Sequence, residues 1–109
     1  MTELREKSCQ PCEKGTPALT ESETEQYLDQ LEDWNLLDNN KKIERVFKFN
    51  NFVSALKFVN SVGEVAEQEN HHPDILIFGY NKVKITLYTH VIGGLSLNDF
   101  IVASKIDGV

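Results

Sequence analysis

From Lys82 to His90 the chain alternates strictly. Val83, Ile85 and Leu87 are apolar, and Lys84, Thr86, Tyr88 and His90 stand between or after them. A two-residue period commits the stretch to a strand with one buried and one open face. Just upstream, Asp74–Tyr80 holds Ile75, Leu76, Ile77 and Phe78 without a break. That run predicts a strand buried on both faces, with Gly79 as a bulge or bend. Asn81-Lys82 leaves room only for a tight turn, so the two strands lie antiparallel.

The same reasoning applies nearer the N-terminus. Trp34–Leu37 and Lys42–Phe49 read as strands around Asp38-Asn39-Asn40, residue types that tolerate the left-handed backbone of a turn. Ile43, Phe47 and Phe49 share one face of the second strand, interrupted by Arg45. Helical periods flank the hairpins. Leu19 precedes Thr20-Glu21-Ser22-Glu23, which fits a capping box. Tyr27, Leu28 and Leu31 then form a stripe, and the helix ends near Glu32. Asn50-Asn51 caps a second helix, expected to end before Pro73. Its apolar stripe is Phe52, Ala55, Leu56, Val59, Val62 and Ala66, with Phe58 and Val65 off that line. Gly93-Gly94 breaks the last strand. Ser96 caps a third helix with Asp99 as the box acid and Leu97, Phe100, Ile101 and Ile106 as apolar contacts. The order α-β-β-α-β-β-α predicts a two-layer α+β domain, a four-stranded antiparallel sheet with three helices on one face.

At 109 residues one domain is expected. Residues 1–18, with Pro11, Gly15 and Pro17 and no apolar period, read as a flexible arm, and 19–109 as the domain. The net charge is −6, and it is uneven: residues 1–40 carry ten acids against three bases. No Lys/Arg cluster follows a phosphate backbone, which argues against direct nucleic-acid binding. The longest apolar run, Ile75–Phe78, is far short of a membrane span. The first ten residues hold no apolar run for a signal peptide, so a cytoplasmic protein is expected. Cys9 and Cys12 make no disulfide framework, and their CxxC spacing lacks the second ligand pair of a zinc ribbon. They read as free thiols on the arm, with zinc shared between subunits as the alternative.

All three histidines fall between positions 71 and 90. His71 and His72 sit where the second helix gives way to the third strand, and His90 ends the fourth. A hairpin joins those strands, so their far ends meet, and the three rings converge at one sheet edge. Imidazoles titrate near neutrality, which makes such a group a candidate proton-transfer site. Two other readings stay open: histidines with no shared role, and a three-histidine zinc site. Against the second, adjacent histidines before a proline chelate one ion poorly. Glu67 lies one helical turn before His71, where it is placed to orient a ring, but on the residues alone the stronger reading is a solvated helix charge. Asp99 has the simpler reading of an acid at a helix N-terminus.

These residues form a signature, Glu67-x3-His71-His72-Pro73-x6-Tyr80-x9-His90-x8-Asp99. It resembles that of the pterin-4a-carbinolamine dehydratases. Trp34-Asn35, Phe47-x-Phe49, Phe52, Ala55, Phe58, Asn81-Lys82-Val83-x-Ile85-Thr86-Leu87 and Gly94-Leu95-Ser96 are similar to the family as well. The resemblance covers about residues 20–107. The chain departs from it at Ile75, where the family usually has an aromatic residue, and in a longer spacing before Tyr80.

The resemblance implies the fold derived above, assembly into homodimers or homotetramers, and a reaction. Family members dehydrate 4a-hydroxytetrahydropterin to quinonoid dihydropterin and so recycle the cofactor of aromatic amino-acid hydroxylases. Neither a metal nor another cofactor is implied. The implied catalytic set is His71, His72 and His90, supported by Glu67 and Asp99. His71 and His90 are the proton-transfer candidates, and His72 is a candidate for holding the pterin. Trp34, Pro73, Tyr80 and Thr89 are the implied substrate-binding residues. The alternative is a non-catalytic interaction or assembly module on the same fold.

Overall fold

The computed structural model describes residues 4–10 and 15–109. Its elements are α1 (Glu21–Leu28), β1 (Asn35–Leu37), β2 (Lys42–Lys48), α2 (Phe52–Glu69), β3 (Asp74–Phe78), β4 (Lys82–Leu87) and α3 (Leu97–Asp107). The strands form one antiparallel sheet in the order β1-β2-β4-β3. This is the expected α+β architecture.

The ends of the elements follow local chemistry. The Thr20 hydroxyl accepts from the Glu23 amide while the Glu23 carboxylate accepts from the Thr20 amide, a closed capping box. Helix α1 stops at Leu28, short of Glu32, because the amides of Gln30 and Leu31 bond three residues back and tighten the chain into turns. Asn51 caps α2 through Ser54, and Asn70 closes it in the left-handed conformation. Asp38, Asn39 and Asn40 all have positive φ, as their turn role requires. The second hairpin differs from expectation. Its left-handed residues are Gly79 and Tyr80, so the turn is Gly79-Tyr80-Asn81 and Lys82 already pairs with Phe78.

Register sorts the faces. Ile43 lies beside Leu87, and Phe47–Val83–Ile77 run across β2, β4 and β3. Ala55, Phe58 and Val62 of α2 and Phe100, Ile101, Val102 and Ile106 of α3 close over that face. The α2 stripe is thus rotated from the one expected. Phe58 turns inward against Phe47 and Phe49, at centroid distances of 4.6 and 5.0 Å, while Phe52 and Leu56 are exposed. Both settings satisfy helical periodicity; only the position of the sheet chooses between them.

Strand β3 corrects a second expectation. Its apolar run is largely exposed in the single chain, with Leu76 49% accessible. The strand lies at the sheet edge, paired only with β4.

Arg45 breaks the apolar face without being buried alone. Its guanidinium donates to Asp107 Oδ1 at 2.8 Å and to the Glu32 carbonyl, and it lies 4.4 Å from the Phe47 ring centroid. The Trp34 indole N–H donates to the same Asp107 carboxylate. Burial pushes the Asp107 carboxyl above its ordinary pKa even against those two partners.

The arm is tied down where the structure describes it. Residues Leu4–Glu6 make one 3-10 turn, and Leu4 joins the core. Cys9 is a free thiol; Cys12 lies outside the described residues.

Candidate active site

The C-terminal turn of α2, the entry to β3 and the exit from β4 meet at one end of the sheet. There they enclose a cleft of about 470 Å³. His71, His72 and His90 all line it, with Thr89, Tyr88 and Asp74. The convergence expected from hairpin topology is present. His90 reaches it differently than expected: β4 ends at Leu87, and His90 opens a 3-10 turn, His90–Ile92.

Asp99 organises the inner half of the cleft. It is fully buried at the first turn of α3. Its Oδ1 lies 2.6 Å from His71 Nε2, and its Oδ2 accepts from the Thr89 hydroxyl at 2.8 Å and the Ser96 amide at 2.9 Å. The Thr89 hydrogen is spent on Asp99, so in the 2.7 Å contact between the two hydroxyls Ser96 donates. Donors surround the carboxylate on both oxygens, and it acts on His71 as an acceptor. His71 Nε2 therefore carries a hydrogen, and in the neutral ring the lone pair falls to the other nitrogen, Nδ1. The His71 side chain is only 13% exposed, which restricts its motion.

The outer half is looser. His72 Nε2 lies 2.5 Å from Glu67 Oε2, with both side chains mostly exposed. The resemblance implied that Glu67 supports the histidine set. The kink after Asn70 turns His72 back toward Glu67 and leaves His71 to Asp99. His90 is exposed and meets Tyr88 edge-on at 6.3 Å. Lys42 in turn sits 4.6 Å from the Tyr88 ring centroid.

Two of the expected substrate-binding residues lie away from this cleft. Trp34 is buried in the core and bonded to Asp107, outside the residues that line this cleft. Tyr80 occupies the β3–β4 turn, at the opposite end of those strands from the histidines. Thr89 lines the cleft, but its hydroxyl serves Asp99. Pro73 follows the histidine pair and starts β3 in extended form. The sequence reasoning missed Tyr88, Asn98, Glu69, Cys9 and Gln10, which also line the cleft. Tyr88 was legible, since it shares the strand parity of His90.

The return of the chain from β4 to α3 is held by Thr89 and Gly94, whose backbones bond to each other. A Cβ at Gly94 would stand 2.9 Å from that of Ala18, so only glycine lets the two segments pass. Gly94→Val should therefore lower the thermal midpoint and weaken activity together, because Thr89 and Ser96 on either side support Asp99. Calorimetry and a rate assay on one preparation check this. Among the described residues no three histidine, cysteine or acidic side chains are grouped to hold a metal ion, and no helix is long and apolar enough to cross a membrane.

Comparison with known proteins bears on the family and the fold. The family model described as pterin 4 alpha carbinolamine dehydratase matches residues 17–109. A protein of Alkaliphilus metalliredigens, provisionally named a pterin-4-alpha-carbinolamine dehydratase, is 50% identical over 108 residues, covering 98% of this chain and 96% of its own. One of Rubrobacter xylanophilus, provisionally named alike, is 49% identical over 107 residues, covering 98% of each chain. Among solved structures, a transcriptional coactivator/pterin dehydratase from Brucella melitensis superposes with a TM-score of 0.78 at 36% identity, over 84% of this chain and 96% of that one. A pterin dehydratase-like RuBisCO assembly factor of the alpha-carboxysome shares the fold, with a TM-score of 0.59 at 21% identity over 70% of this chain and 87% of that one. The chain belongs to the pterin 4 alpha carbinolamine dehydratase family.

Proposed function

We propose that the protein dehydrates 4a-hydroxytetrahydropterin to quinonoid dihydropterin by histidine acid–base catalysis, in the cytoplasm, as a step of tetrahydropterin recycling. The observation that carries this reading is His71, paired with the buried Asp99, in a cleft that His72 and His90 also line. The reaction removes the 4a-hydroxyl and the N5 proton, so it needs one acid and one base. His71, with Asp99 fixing its tautomer, offers Nδ1 as the base for N5. His90, exposed across the cleft, is placed to protonate the departing hydroxyl. His72, held by Glu67, serves to hold the pterin. Each positioned group of this kind contributes about 10²–10⁴-fold. Stopped-flow decay of the carbinolamine, with and without the protein, tests the reading: an unchanged decay rate removes it.

The scheme moves protons only. Protein treated with a chelator and freed of metal is expected to keep its rate. Loss of activity restored by zinc would favour a three-histidine metal site instead.

A second reading, an interaction or assembly module, draws on the fold shared with the assembly factor and on the apolar surface of β3 and α2. That surface also supports self-association. β3 is an open edge carrying exposed Leu76 and Phe78, and α2 exposes Phe52, Val53 and Leu56. Open apolar edges pair readily with another chain. A homodimer or homotetramer is expected by sedimentation at tens of micromolar protein, and Leu76→Lys should shift it toward the monomer. A wild-type monomer at that concentration contradicts the assembly.

A further inference from the structure

The arm does more than trail from the domain. Between α2 and α3 it is held by a two-point clamp and an ion pair. The Asn98 side-chain amide donates to the Gln10 carbonyl at 2.6 Å, and its oxygen accepts from the Gln10 amide at 3.0 Å. The Cys9 amide donates to Glu69 Oε1 at 2.8 Å, while Lys105 donates to the other oxygen of Glu69 at 2.6 Å. The Cys9 thiol points back toward the Asn98 carbonyl, 3.7 Å away. Chain termini stay loose unless they are tied down, and here two side chains of the domain are engaged in the tying.

The anchors lie beside the chemistry. Asn98 adjoins Asp99 on α3, and Glu69 is two residues from His71 at the end of α2. Cys9 and Gln10 line the same cleft as the three histidines. They also lie outside the residues matched to the family, which begin at 17. The domain carries the histidines and their carboxylates by itself; the arm adds a wall.

We propose that the Cys9–Gln10 segment, clamped by Asn98 and Glu69, is a substrate-positioning wall of the histidine cleft that raises affinity for the pterin without taking part in proton transfer. This rests on the dehydratase reading above. The wall is not a reagent. Burial, reinforced by the Glu69 charge, pushes the Cys9 thiol up to about 12, so it stays protonated and poorly nucleophilic. Gln10 offers its backbone to Asn98, and Glu69 is neutralised by Lys105. What remains for the pterin is a fixed surface that narrows the cleft and displaces water.

The test uses full-length wild type, Asn98→Ala and Gln10→Pro. Gln10→Pro removes the amide that bonds Asn98 and leaves α3 untouched, so it serves if Asn98→Ala fails to fold. Two readouts are taken: binding of 7,8-dihydrobiopterin by fluorescence, and steady-state dehydration across pH. Asn98→Ala loses both hydrogen bonds that hold the wall and should raise Kd and KM by about tenfold, and Gln10→Pro, which loses one of the two, should raise both by a smaller factor. The value of kcat should change less than twofold, and its pH profile should not move. Asn98→Asp, which keeps the acceptor for Gln10, should recover part of the affinity. Wild-type Kd and KM in both variants overturn the wall while leaving the dehydratase reading intact. A fall in kcat at constant KM also overturns it and would mean that Asn98 acts through Asp99. A wild type that neither binds dihydrobiopterin nor accelerates dehydration removes the wall and the dehydratase reading together.

Discussion

His71→Ala is expected to slow dehydration by about 10²-fold or more, and Asp99→Asn by a similar factor. The two losses arise from one unit. Asp99 accepts from His71, Thr89 and Ser96, and an amide in its place keeps the shape but can offer a hydrogen where the imidazole offers one. The ring would then turn or change tautomer, and Nδ1 would no longer be the free base. The double variant should be little worse than either single one, because residues acting as a unit do not add. Circular dichroism on each variant separates a chemical loss from unfolding. His71→Ala with full activity would remove the proposed base. His90→Ala, which leaves the pair intact, should cost a comparable factor through the leaving hydroxyl; full activity there would remove the proposed acid.

The largest expected effect on stability is at Phe100. Its side chain is fully buried among residues of both layers and meets Tyr27 at 5.5 Å. Phe100→Ala should cost about 3–5 kcal/mol, from lost burial and the cavity left behind. Domains of this size have roughly 5–15 kcal/mol in total, so the variant would be close to unfolding at physiological temperature. Its residue also follows Asp99 directly, so the site would loosen before the fold is lost. Urea titration measures the cost; a value under about 1 kcal/mol would mean that the α3–sheet packing is not what holds the domain.

Acid behaviour gives a further check on the arm. Burial alone would raise the Glu69 carboxyl, but hydrogen bonds from Lys105 and from the Cys9 amide outweigh it and hold the pKa below its ordinary 4.5. A carboxyl lowered on folding contributes stability above its unfolded value, and that contribution is lost as pH falls through the folded one. Glu69→Gln should therefore melt earlier than wild type at neutral pH, and the gap should narrow as the pH drops below 4.5. A gap that widens in acid would contradict the assigned direction.

Much of the molecule was legible without coordinates because its signals are local. Alternation at Val83, Ile85 and Leu87, capping chemistry at Thr20 and Asn51, and left-handed residue types at Asp38-Asn39-Asn40 each determine a strand, a helix start or a turn within a few residues. Two short turns then make the sheet antiparallel and bring His71, His72 and His90 to one end of it. Several other features needed the tertiary structure. Which stripe of α2 faces inward depends on the sheet beneath it, so Phe58 and Phe52 exchange expected roles. Whether an apolar run is buried depends on its place in the strand order, and β3 falls at the edge. Tyr80 shares a signature with the histidines, and Trp34 the wider resemblance, yet both lie elsewhere, because a motif records spacing along the chain and not direction in space. The Asp99 partner of His71, and the return of Cys9 and Gln10 to the cleft, join residues 28 to 89 positions apart. No local rule couples such positions; they meet only when two helices have packed on the same sheet and their ends have converged.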